Sequence, residues 1–147
     1  MGRLNLQDGA IVYVDSAIFI YTLQSDQRYF SILNPFWENF QSRKIQIVTS
    51  ELTLMEILVQ PLKLADSQRI KGYERFLTES DIQLMPISRQ ILKEAAQLRS
   101  IKRIKTPDAI HASTAIHYGC TMFFTNDRGF QNTPGLQVII LDQVVES

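Results

Sequence analysis

Five short runs along the chain are rich in β-branched and aromatic residues: IVYV (11–14), IQIVT (45–49), IQLM (82–85), TMFFT (121–125) and VIIL (138–141). Longer stretches carrying helix-start signals separate them. Ser16 is placed to cap a helix over 17–24, and Asn34 and Pro35 to open one over 35–42 after a shorter turn near 27–33. Ser50 is placed to cap a helix that must end before Pro61. Asp66 precedes 67–79, Ser88 precedes 89–103, and Thr106 precedes 107–118, with Gly119 where helices commonly close on a left-handed residue. This alternation predicts a parallel sheet covered by helices, an α/β fold.

The 147 residues suit one domain able to bury a core without disulfides, and no repeat or Gly/Ser linker divides them. Cys120 is the sole cysteine, which excludes a disulfide framework and a cysteine-based metal site and points to a reducing compartment, the cytoplasm. The opening MGRLNLQDGAIVYVD has too short an apolar run for a signal peptide, and no 18 consecutive apolar residues predict a membrane span. Leu6 stands where a myristoylation pattern needs Ser or Thr.

Fifteen basic and fifteen acidic residues cancel, so nucleic-acid binding has to be local. The densest basic stretch, LRSIKRIK, places Arg99, Lys102, Arg103 and Lys105 just before Asp108. The segment YFSILNPFWENF (29–40) carries five aromatics, more than one amphipathic stripe needs. Either it packs into the core, or Phe36, Trp37 and Phe40 leave a surface for a second copy or a protein partner.

Four acids stand where chemistry is expected. In open parallel sheets ligands bind beyond the carboxyl ends of the strands, where the strand order reverses. Asp15 directly follows IVYV, and Asp127 follows TMFFT with only Asn126 between. Glu56 lies in the second turn of the helix after IQIVT, and Asp108 opens the helix before TMFFT. Each acid alone has a plain explanation: a strand end for Asp15, a solvated helix face for Glu56, the favourable end of a helix dipole for Asp108, and the NDRG turn for Asp127. Together they explain one another less well. Glu56 sits in the apolar stretch LTLMEILV, where an unpaired carboxylate is costly. Clustered carboxylates repel unless a cation neutralises them, and Mg²⁺ or Mn²⁺ prefers such oxygen donors.

The stretches VDSAIFIY, TSELTLMEIL, KTPDAIHASTA and FFTNDRGF, in this order and spacing, resemble the PIN-domain ribonucleases, especially small VapC-type toxins. The resemblance covers almost the whole chain. It implies a Rossmann-like three-layer α/β/α sandwich with strand order 3-2-1-4-5 and divalent-metal-dependent cleavage of RNA. It places the metal on Asp15, Glu56, Asp108 and Asp127. Ser16, Thr125 and Asn126 adjoin these acids and are expected to orient them. His111, three residues after Asp108, is expected to pack beside them. With no phosphate-binding glycine loop, Arg99, Lys102 and Arg103 are expected to hold the RNA backbone.

A toxin implies an antitoxin-type protein partner, and a homodimer is the other expected assembly. The rival is a non-catalytic PIN-like module that binds RNA or protein. A haloacid-dehalogenase-type phosphatase needs a second aspartate where Ala17 stands, and a receiver domain needs a lysine where Asn126 and Asp127 follow TMFFT.

Overall fold

The computed structural model describes residues 2–147. Its strands are β1 (Ile11–Val14), β2 (Gln46–Ser50), β3 (Gln83–Met85), β4 (Met122–Thr125) and β5 (Val138–Ile140). They form one parallel sheet in the order β3-β2-β1-β4-β5, the expected order. The helices are α1 (Ser16–Leu23), α2 (Phe30–Gln41), α3 (Glu51–Lys63), α4 (Ser67–Thr78), α5 (Arg89–Ile101), α6 (Thr106–His117) and α7 (Leu141–Glu146).

The three layers follow from the two-residue period of the strands. Val12, Val14, Ile47 and Phe124 point to one face, where they pack with Ile18 and Phe19 of α1, Ile32, Leu33 and Phe36 of α2, Ile57 of α3 and Leu77 of α4. Tyr13, Val48 and Phe123 point to the other, against Ala95 and Leu98 of α5 and Ala109, Ala112 and Ala115 of α6. Alanines on α6 let that helix lie close to the sheet. Its residues Ala109 and His111 to Ala115 are all buried.

Several boundaries differ from the sequence reading. The first helix is capped by Asp15 rather than Ser16: the Asp15 carboxylate accepts the Ser16 N–H, and Ser16 is already helical. Residues 30–41 form one continuous helix through Pro35, and α3 likewise runs through Pro61 to Lys63. A proline removes one N–H from the helical ladder. Burial of Ile32, Leu33 and Phe36 around Pro35, and of Ile57 and Pro61 itself in α3, outweighs that loss. Thr106 is not the cap of α6; Lys105 holds that position without a side-chain bond. Caps at Ser50, Asp66 and Ser88 form as expected, and Gly119 follows α6 with φ +68°. Leu141 opens α7 instead of ending β5, and the chain from 128 to 130 makes a short 3₁₀ turn.

Of the aromatic segment, Phe36 is buried, whereas Trp37 and Phe40 are partly exposed. They line a groove of about 490 Å³ with Tyr21, Phe30 and Phe76. No helix among the described residues is long and apolar enough to cross a membrane.

Candidate active site at the carboxyl edge of the sheet

The chain runs from β1 outward to β3 and then returns to β4 on the other side of β1, so the strand order reverses between β1 and β4. Asp15 and Asp127 leave the sheet at that point. Asp15 is only 6% exposed, its backbone N–H donates to Phe124 O at 3.0 Å, and its carboxylate is held on both sides. Oδ1 accepts from Ser16 N (2.8 Å) and Ser16 Oγ (3.5 Å), and Oδ2 accepts from Thr125 Oγ1 (2.6 Å). The same Thr125 oxygen accepts the Asp127 N–H at 3.0 Å, so one buried hydroxyl ties the two strand ends together. The exposed Asp127 carboxylate accepts the Gly129 N–H at 2.8 Å.

The other two acids arrive from helices. Asp108 lies in the first turn of α6, half-buried, and no described residue donates a hydrogen bond to it. Burial raises its pKa first, and the charges of Asp127 and Asp15, with a smaller push from Glu56, raise it further against the opposing effect of His111. The four acids therefore share one electrostatic field. Glu56 reaches over the edge from α3 and accepts from His111 Nε2 at 2.5 Å. His111 is 1% exposed, its Nδ1 meets Tyr13 Oη at 2.6 Å, and its Nε2 stands 3.9 Å from Asp15 Oδ1. Burial opposes charge on this ring, yet the Glu56 hydrogen bond and the charges of Asp15, Glu56 and Asp108 hold its pKa above the ordinary histidine value.

The remaining candidates divide. Ser16 and Thr125 touch Asp15 directly. Asn126 does not turn toward the acids: its Oδ1 accepts the Asp142 N–H at 2.8 Å and its Nδ2 donates to Tyr21 and Tyr29 hydroxyls at 3.3 Å, fastening β4 to α7. Arg99 and Arg103 line a cleft of about 380 Å³ with Lys105, Asp108, Asp127 and Gly129. Arg99 is also structural, since it donates to Ile104 O (3.0 Å) and Thr106 Oγ1 (2.8 Å) and braces the turn into α6. Lys102 donates to Gln131 O at 3.0 Å and is not among the cleft residues. Lys105 was not among the residues expected to hold RNA, and Tyr13 was not singled out at all. Lys105 was visible in the basic run, but nothing local marked Tyr13, whose contact with His111 spans 98 positions.

The donor set suits a hard cation: oxygen ligands of excess negative charge, with the one nearby imidazole already engaged. As the side chains stand, no group of three or more His, Cys, Asp or Glu among the described residues is arranged to hold an ion. Burial pushes the Cys120 thiol up to about 12, and Cys120 packs against the apolar cluster that holds the α6 alanines.

The PIN domain family model matches residues 12–136, and the chain belongs to that family. Among solved structures it is similar to VapBC from Salmonella typhimurium bound to DNA, at 22% identity over 90% of this chain and 98% of that one, with a TM-score of 0.71. VapBC2 from Rickettsia felis bound to a promoter DNA fragment gives 19% identity over 88% and 98%, also at 0.71. VapC20 from Mycobacterium tuberculosis, a Sarcin-Ricin loop cleaving toxin, gives 10% identity over 76% and 86%, at 0.63. At these identities the likeness is one of fold. No match is found among curated protein sequences.

Proposed function

We propose that this PIN domain is a ribonuclease that requires Mg²⁺ or Mn²⁺ and acts as the toxin of a toxin-antitoxin pair, restrained by an antitoxin-type protein. The observation that carries the reading is the Asp108 carboxyl, raised by burial and then by Asp127, Asp15 and Glu56, acids drawn from four separate segments. A divalent cation relieves the repulsive part of that rise, and hard divalent ions prefer oxygen donors of this kind. Asp15, Glu56, Asp108 and Asp127 would hold the ion. When bound, Mg²⁺ or Mn²⁺ supplies the positive charge that activates water for in-line attack and offsets charge building on the phosphate. Ser16 and Thr125 keep the Asp15 carboxylate in place. Arg103 and Lys105, on the wall of the same cleft, hold the RNA backbone, with Arg99 behind them.

The similar VapBC structures support an antitoxin partner, and a single free cysteine suits a reducing compartment such as the cytoplasm. Self-association is the second partner reading, carried by the exposed Phe30 and the part-exposed Trp37 and Phe40. Light scattering across a concentration series checks it.

One observation favours the non-catalytic rival: Glu56 is already taken by His111. Purified protein incubated with single-stranded RNA separates the two readings. The ribonuclease cuts with Mg²⁺ or Mn²⁺ and stops in EDTA. A binding module retains RNA without cutting it, with an affinity indifferent to Asp108→Asn. Cleavage undiminished by EDTA would sink the metal requirement.

A further inference from the structure

Tyr13 occupies the middle of the central strand, fully buried, its ring stacked at 5.0 Å on that of Phe123, its register partner on β4. Phenylalanine would fill that place equally well and bury no hydroxyl. The hydroxyl is engaged by His111 Nδ1 at 2.6 Å, while His111 Nε2 meets Glu56 Oε1 at 2.5 Å. An ionised carboxylate only accepts hydrogen bonds, so Nε2 must carry a proton. Tyr13 holds the opposite corner of the ring. With both nitrogens engaged, the imidazole is held in place, and its Nε2, bonded to Glu56, also stands 3.9 Å from Asp15 Oδ1.

Beneath this pair lies a second polar link. Thr49 Oγ1 donates to Val14 O at 2.8 Å and so accepts from Thr53 Oγ1 at 2.7 Å, which joins β2 and the start of α3 to the end of β1. Three residues further along α3 is Glu56. No buried side-chain nitrogen or oxygen among the described residues is left without a partner, so the network is complete. Complete buried networks specify one geometry.

We propose that Tyr13 is a positioning residue of the acid edge, which acts through His111 to hold one oxygen of Glu56 and so keeps that carboxylate beside the same ring nitrogen that Asp15 approaches. This inference rests on the ribonuclease reading, and it assigns to that site a group one layer deeper than the acids. Carboxylates that bind metals are commonly oriented by such partners, whose loss weakens metal binding by about 10–100-fold.

The test is Tyr13→Phe, which keeps the stacked ring and removes only the hydroxyl. Three quantities are read on wild type and variant: Mn²⁺ affinity by calorimetry, kcat and KM for RNA, and the ¹⁵N resonances of His111 in metal-free protein. Mn²⁺ binding should weaken about 10-fold, kcat should fall with KM unchanged, and the His111 resonances should shift. Unchanged Mn²⁺ affinity and kcat in a folded variant overturn the positioning role alone. Wild-type protein that neither binds Mn²⁺ nor cuts RNA overturns the ribonuclease reading, and this inference with it. If Tyr13→Phe fails to fold, the wild-type spectrum decides: a ring protonated at Nε2 supports the arrangement, and one protonated only at Nδ1 overturns it.

Discussion

Asp15 and Asp108 face the same edge of the sheet under opposite conditions. Asp15 is almost wholly buried and accepts from Ser16 and Thr125, so its charge is met by donors already in place. Asp108 is half-buried, receives no hydrogen bond from a described residue, and feels the other acids instead. The inner half of the site is prebuilt by hydrogen bonds; the outer half is left in electrostatic tension for something else to relieve. Preorganisation and frustration thus sit side by side, and substitutions can tell them apart.

The largest expected effect is loss of cleavage in Asp108→Asn, by at least about 100-fold, because the neutral amide cannot supply the charge a divalent ion needs. Its metal-free stability should move the other way. The folded Asp108 pKa is raised, so ionisation penalises the fold once pH climbs above the unfolded carboxylate value, and the full penalty is present above the folded one. Asp108→Asn should therefore melt above wild type at neutral pH, with the gap closing as pH falls into the carboxylate range. A pair of thermal melts in EDTA, at neutral and acidic pH, measures this.

Asp15→Asn should lose cleavage as completely, yet melt below wild type by an amount equivalent to about 1–3 kcal/mol, since it disturbs a buried acceptor with satisfied donors. Equal and same-signed melting shifts in the two variants would erase the contrast between the halves. Adding Mn²⁺ sharpens it: saturation at a hundred times the dissociation constant should stabilise wild type by about 2.7 kcal/mol and leave Asp108→Asn unmoved. Differential scanning calorimetry with and without the ion reads both.

The smallest effects belong to the cleft wall. Arg103→Ala should weaken RNA binding evenly across sequences and lower the slope of log affinity against log salt by about 0.7–1. Arg99→Ala should in addition lower stability by about 1 kcal/mol, because Arg99 also braces Ile104 O and Thr106 Oγ1. Filter binding over a salt series, paired with urea denaturation, separates the two arginines.

Features encoded locally were readable from the chain. The five apolar runs are strands because each fills both faces of a buried sheet, and Ser50, Asp66 and Ser88 cap helices because the cap bond reaches only two or three residues along. The misplaced caps at Ser16 and Thr106 are one-residue shifts, whereas the helix bounds around the prolines were missed because tertiary burial overrules a local signal. Pro35 and Pro61 sit inside helices whose neighbours are pinned to the core, and α7 stands beside a lattice of Asn126, Tyr29 and Asp142 assembled from distant segments. The acids were legible from their places at strand ends and helix starts. Ser16 and Thr125, which hold Asp15, were legible from their adjacency to the acids, and His111 from its helix face; Tyr13 was not, because it meets His111 only across 98 positions of the chain.

The hydrogen bond from Thr125 to Asp15 closes a loop of 110 positions. During synthesis β1, β2 and β3 emerge early, but the centre of the sheet keeps an open flank until β4 is made and slots in beside β1. A chain stopped short of residue 122 lacks β4, Thr125 and Asp127 together. The acid edge is therefore assembled late, and a nascent chain without β4 holds Asp15 with no Thr125 to meet it.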